Sequence, residues 1–312
     1  MPDVRIASLL PSATEICYAL GLGDRVVGVS HECDYPGDAR NKPILTSSEF
    51  DDALPSSAID AQVRSRVLEG LSLFAVDEAR LIGLKPNVIL TQDTCEVCAV
   101  PFAQVERATL GSLPKGAEIM SLSPRTFEDV LADMNRVGAR AGVVRHAQTV
   151  TAGLATRLDK LRAHVRSFRR PRVLFLEWLD PPMVAGHWTP SLLRAAGGDP
   201  IDCHDAAPTR ATSWEALASA DPDVIIIAPC GFTVDKTLAE LQNPHPVLAG
   251  FRAVAERRAY VADGSALFNR PGPRLVDSAE VAAAALHPRA LAGTFAFNAE
   301  TLTPWTPPGT LS

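Results

Sequence analysis

No stretch of about 18 consecutive apolar residues occurs anywhere in this chain, which excludes a membrane-spanning helix. The opening MPDVRIASLLPSATEI has no basic segment leading into an uninterrupted apolar one, so the chain as given reads as cytoplasmic. A mature periplasmic or extracellular protein with its leader removed would look the same. Cysteine is sparse: 6 in 312 residues are too few for a disulfide framework, and C-E-V-C in a reducing compartment points to metal or redox chemistry. G-x-S-x-G, the P-loop and H-E-x-x-H are all missing, and Gly21, Gly23 and Gly28 do not follow the first strand at the spacing of a dinucleotide fingerprint. Positive charge is in deficit. Lys+Arg 30 against Asp+Glu 36, a formal charge of -6, argues against a track for nucleic-acid phosphates and leaves a small molecule as the expected partner.

What is present alternates between two periods. At 312 residues the chain exceeds what one core usually holds, roughly 250–300 residues, so two lobes are expected. β-like runs at 5–8, 25–29, 88–91, 172–176, 224–228 and 259–262 are separated by helical patterns, which implies βαβ units and mainly parallel sheets. Helix starts stand at Ser12, Thr14 and Glu15 after Pro11, at 123–128, at 189–193, and at Ser213 with Glu215. Segments 78–95 (EARLIGLKPNVILTQDTC) and 214–230 (WEALASADPDVIIIAPC) share one plan of helix, Pro turn, apolar strand and Cys-bearing loop, one copy per lobe. The expected division is an N-terminal α/β lobe over 1–143, a single connecting helix over 144–168 where the amphipathic pattern runs without Pro, and a C-terminal α/β lobe over 169–289. A Thr- and Pro-rich tail over 290–312 is expected on the surface or partly disordered.

Reactive residues cluster just after the β-like runs: His31, Cys33 and Asp34; Asp93, Cys95 and Cys98; Glu177, Asp180 and His187; and Cys230. Loops leaving the carboxyl ends of strands form the ligand crevice of an open α/β sheet, so residues far apart in sequence can converge there. Cys95 and Cys98 can supply two thiolates to zinc or iron, form a redox pair, or simply pack a loop. His31 and Cys33 can complete a Cys/His site, or else His31 and Asp34 are turn residues before Pro36. Trp178 and Trp188, beside Glu177 and His187, suit a flat metal-bearing macrocycle, with His187 reaching the metal or the ring periphery; the alternative is that Trp178 packs in the fold and His187 caps a helix. Asn269 to Arg274, N-R-P-G-P-R, offers two guanidinium forks, with Arg270 the expected contact, for a ligand carboxylate or phosphate, or else for Asp277 and Glu280 nearby. Ser12, at a strand-to-helix turn, favours a polar or anionic group.

The segments RIASLLPSATEI (5–16), GVSHECDYP (28–36), LKPNVILTQ (84–92), LEWLDPPMVAGHW (176–188) with AAGG (195–198), SWEALASADPDVII (213–226) and NRPGPRLVDS (269–278) together carry a resemblance. Over about residues 4–288 the chain resembles the helical-backbone class of ABC-transporter solute-binding proteins, which captures cobalamin, haem and ferric siderophores, and within it the cobalamin-binding proteins. The resemblance implies two Rossmann-like lobes with mainly parallel sheets joined by one long α-helix, a ligand cleft between the lobes, and an ABC permease as partner. It also implies one transporter-docking carboxylate per lobe; Glu215 falls at the second-lobe position, and Glu78 stands near the first-lobe position.

The expected function is therefore a solute-binding protein, not an enzyme, that holds a cobalamin-like corrinoid or other metal chelate for uptake or intracellular handling. The contacts expected are Ser12, His31, Asp93, Cys95, Glu177, Trp178, His187, Trp188, Asn269 and Arg270. The rival expectation is a metalloprotein in which His31, Cys33, Cys95, Cys98, His187 or Cys230 hold Zn or Fe directly, with Glu177 or Asp180 as general base.

Overall fold

The structure, a computed structural model, describes residues 4–93, 100–109, 113–295 and 297–309. The chain divides into two compact α/β units: Met1–Leu54, Ala58–Pro124 and Glu128–Gly153 form the first, and Pro55–Ser57, Arg125–Phe127 and Leu154–Ser312 the second.

The first unit holds strands β1 (Ile6–Ser8), β2 (Val26–Val29), β3 (Thr46–Ser48), β4 (Phe74–Val76), β5 (Val88–Thr91) and β6 (Glu118–Ser121). Its helices are α1 (Pro11–Ala19), α2 (Ser56–Leu68), α3 (Glu78–Gly83), α4 (Phe102–Thr109) and α5 (Phe127–Arg140); α2 and α5 each borrow residues that belong to the second unit. The main sheet is wholly parallel in the order β2-β1-β5-β6, so β1 and β5 flank the point where the chain changes winding direction. β1 and β5 are buried along their length and are apolar up to the hydroxyl residue that ends each, Ser8 and Thr91, in keeping with strands covered on both faces. Ala7, Leu9, Ile89 and Leu90 lie in the interior with Leu45, Leu81 and Val105. β3 and β4 form a separate antiparallel pair that the sequence pattern does not announce.

A helix of 22 residues, α6 (Val144–Val165), starts in the first unit and ends in the second. It stops short of the expected end at 168, and a turn from Phe168 N–H to the Val165 carbonyl follows it.

The second unit holds β7 (Arg172–Leu179), β8 (Pro182–Val184), β9 (Asp199–Pro200), β10 (Arg210–Ala211), β11 (Val224–Ile227), β12 (Ala259–Ala262) and β13 (Leu302–Pro304). Its helices are α7 (Thr189–Ala195), α8 (Trp214–Leu217), α9 (Val234–Glu240), α10 (Pro246–Gly250), α11 (Arg252–Ala255) and α12 (Leu275–Leu286). β7, β11 and β12 are parallel neighbours, while β8, β10 and β13 add antiparallel edges. The tail thus departs from the expectation of a loose surface segment: β13 pairs with β12, and Trp305, buried at 4 % exposure, anchors it in the same apolar cluster as Ile225 and Val261. A buried indole supplies the apolar area that Thr and Pro lack.

Candidate functional site

The second unit gathers its reactive residues at the carboxyl ends of β7, β11 and β12. β7 and β8 slip register between Leu176 and Trp178, so Glu177 is the extra residue of a bulge. Its backbone carbonyl accepts from Cys230 N–H at 3.0 Å, and its carboxylate accepts from the Thr209 hydroxyl at 2.8 Å. Glu177 therefore ties three loops together, and that engagement works against the general-base role. Asp180 sits exposed at the hairpin turn. Cys230, directly after β11, keeps a free, partly exposed thiol.

Trp178 is half-buried and meets Phe232 edge-on, with ring centroids 5.2 Å apart. Its indole Nε1 is buried with no hydrogen-bond partner. His187 follows Gly186, where a side chain would run into the Ala207 carbonyl, and itself adopts φ 52, a left-handed conformation uncommon outside glycine. Its ring stacks on Trp188 at 5.5 Å and leaves Nδ1 buried and unpartnered. Burial, with a smaller contribution from the positive charge of Arg125, holds the imidazole below the usual histidine range, so it is neutral at neutral pH. Nearly all buried polar atoms in folded proteins are bonded. Among the described residues the side-chain exceptions are Trp178 Nε1, His187 Nδ1, Arg258 Nε and His287 Nε2, and two of these four belong to this loop cluster.

Three expected ligand contacts have other work. Trp188, at 8 % exposure, donates from Nε1 to the Phe268 carbonyl at 2.5 Å and is part of the interior. Asn269 donates its amide to the carbonyls of Ala228, at 3.2 Å, and Gly264, at 2.9 Å, clamping the loops after β11 and β12 together. Arg270 is buried and engaged within the protein. Gly264 is required here because a Cβ would collide with the Pro229 carbonyl. Phe232 and Thr209 escaped the sequence reading; the only signal was Phe232's place two residues after Cys230 behind β11.

In the first unit, Ser12 lies buried in α1, whose first residue Pro11 follows an extended Leu10. Cys33 is not displayed beside His31 as a ligand pair. Its sulfur packs on the Thr14 hydroxyl at 3.1 Å and the Ser30 hydroxyl at 3.3 Å, and Thr14 donates onward to Ser8 at 2.8 Å. The His31 ring is held through Nδ1 by Thr46 Oγ1 at 2.8 Å, and burial, opposed by the charge of Asp52, keeps it below the usual histidine range. Asp93 is exposed, its N–H donating to Ser123 at 2.9 Å. Cys95 and Cys98 lie outside the described residues. Among the described residues no three His, Cys, Asp or Glu side chains gather into a metal-ligand group; Cys95 and Cys98, which the expected Zn or Fe site includes, lie outside them.

The two carboxylates expected to face a transporter are both exposed at helix starts. Glu78 opens α3, which Asp77 caps by accepting from Arg80 N–H at 2.9 Å. Glu215 opens α8 behind the Ser213 cap. Hydrogen bonds from its own backbone and from Ser213, with the nearby His245, hold its carboxyl below the usual range.

Similarity to known proteins agrees with this architecture. The chain is 23% identical over 280 residues to a vitamin B12-binding protein of Vibrio parahaemolyticus, covering 89% of this chain and 87% of that one. It is 23% identical over 293 residues to an uncharacterized ABC transporter substrate-binding lipoprotein of Bacillus subtilis, covering 91% and 80%. A crystal structure of a periplasmic heme binding protein from Pseudomonas aeruginosa superposes with a TM-score of 0.75 at 22% identity over 99% of this chain and 100% of that chain. None of these names supports the cytoplasmic expectation. Residues 6–266 match the periplasmic binding protein family, and the chain therefore belongs to that family of solute-binding proteins.

Proposed function

We propose that the protein is the binding component of an ABC-type uptake system, acts in the periplasm or outside the cell, and holds a cobalamin-like corrinoid or a related metal chelate. The observation that carries this reading is two buried, unpartnered ring nitrogens on aromatic side chains of the second unit: Trp178 Nε1, whose ring meets Phe232, and His187 Nδ1, whose ring stacks on Trp188. A flat macrocycle with polar edge groups uses both features: indole and phenyl faces cover the ring, and the N–H and imidazole meet its amide or carboxylate periphery. Glu177 and Cys230 border the same loops, and Ser12, His31 and Asp93, with Cys95, are the contacts proposed from the first unit. The names of the relatives, vitamin B12-binding and heme binding, favour the same ligand class.

Glu78 and Glu215 are proposed as the carboxylates that meet the permease. Both are exposed at helix starts, and the hydrogen bonds that hold the Glu215 carboxyl below the usual range favour its charged form.

Quenching of tryptophan fluorescence by cyanocobalamin and by haemin tests the ligand assignment. Saturable quenching that weakens in Trp178→Ala and in His187→Ala is expected; quenching by neither chelate, or quenching in both variants as strong as in the parent, counts against it.

A further inference from the structure

The chain is acidic overall, yet Lys160, Arg162, Arg166, Arg169, Arg170 and Arg172 fall within residues 160–172 with no acidic residue among them. This stretch ends α6 and leads into β7. Four arginines, Arg162, Arg166, Arg170 and Arg194, converge on an open hollow of about 520 Å³ that also includes Ser191 and one carboxylate, Asp205. The hollow runs along α7, and Ser191 in its lining donates to the Trp188 carbonyl at 2.8 Å. α7, which carries Arg194, ends shortly before β9, and β9 pairs with Arg172 and Val173 at the start of β7, so the Arg194 end of the hollow lies toward the amino end of β7.

Basic side chains at a helix C-terminus offset its dipole, and part of this charge serves that end. Arg170 instead serves the end of α7, donating to the carbonyls of Arg194, at 3.1 Å, and Gly198, at 2.8 Å. The same bonds hold its guanidinium in place. Arg194 is held by Asp205 at 2.6 Å, and Arg162 by Asp159 at 3.0 Å. Arg166 has no carboxylate partner among the described residues. The result is four guanidiniums against one carboxylate in the lining, three of them already oriented.

We propose that this hollow binds a phosphate-bearing anion. Guanidinium groups match phosphate oxygens in paired hydrogen bonds, are less strongly hydrated than ammonium groups, and lose little freedom when other bonds already orient them. A free phosphate compound and the headgroup of an anionic lipid both present this chemistry.

The test uses the full chain at low salt. Calorimetric titration with pyrophosphate addresses the free anion, and cosedimentation with phosphatidylglycerol against phosphatidylcholine vesicles addresses the lipid. The variant R162Q/R166Q changes two exposed positions, one in the last turn of α6 and one just after it; R289Q, at an exposed arginine on another segment, reports the effect of removing a positive charge elsewhere. The proposal expects pyrophosphate affinity, or retention on phosphatidylglycerol, to fall roughly tenfold or more in the double variant and to hold in R289Q. Loss in the pyrophosphate arm alone assigns a free phosphate ligand, and loss in the vesicle arm alone assigns a headgroup. Binding of neither probe by the parent protein, or equal losses in R289Q and the double variant, overturns it.

Discussion

Replacing Trp178 with Phe separates a side chain that serves the fold from one that waits for a ligand. The indole Nε1 is buried with no partner, a condition that costs about 1–3 kcal/mol. Phenylalanine keeps an aromatic ring against Phe232 and removes the N–H. The smaller ring leaves a gap worth roughly 1 kcal/mol. The two effects leave the variant between equal to the parent and about 2 kcal/mol more stable. In differential scanning fluorimetry the melting temperature then stays level or rises by up to about 4 °C. Chelate affinity moves the other way. A ligand that accepts the N–H loses a hydrogen bond with a net value of about 1 kcal/mol, and its dissociation constant rises about five- to tenfold in an absorbance titration. A Phe variant that melts several degrees lower while binding the chelate as before would refute the reasoning, because the N–H would then be serving the fold.

Further expectations follow from neighbouring residues. Trp188→Phe removes the bond to the Phe268 carbonyl and should cost about 1–3 kcal/mol in urea denaturation while leaving chelate affinity within about twofold; the opposite pattern would make Trp188 the ligand residue. Gly264→Ala places a methyl group against the Pro229 carbonyl and should cost about 3 kcal/mol or more, read as a large fall in melting temperature or as loss of soluble protein. Burial holds His31, His187 and His287 below the usual histidine range, so below about pH 6.5 the unfolded chain takes up protons that the folded chain refuses, and stability is lost as the pH falls. Urea midpoints should drop between about pH 7.5 and about pH 5.5, less steeply in H287Q; a flat or rising profile contradicts this.

The central strands were legible because they are buried on both faces. Val224–Ile227, four consecutive β-branched residues, admits few readings, and β1, β5, β7 and β12 share that character. The edges were not legible. β9 and β10 have two residues each, β3 is polar, β13 is three residues ending in Pro304, and their pairing depends on partners distant in sequence. The tail shows why: one tryptophan, Trp305, sets its path, and composition averages that residue away. At the site, sequence located the loops and could not tell which side chains face outward. Trp178 and Trp188 look alike on paper; the bulge at Glu177 leaves one indole unpartnered, and the turn at His187 sends the other into the interior. Asn269 and Cys33 likewise sit where a ligand contact was expected and spend their polar atoms on carbonyls and hydroxyls of the protein itself.

The most direct test of the account is an absorbance titration of the purified chain with cyanocobalamin and with haemin, followed by native mass spectrometry of the mixture. The account predicts a saturable spectral change with one of the two, a mass increment equal to that chelate, and loss of both in Trp178→Ala/His187→Ala. Absence of any saturable complex with either chelate, or a complex untouched by that double substitution, would contradict it.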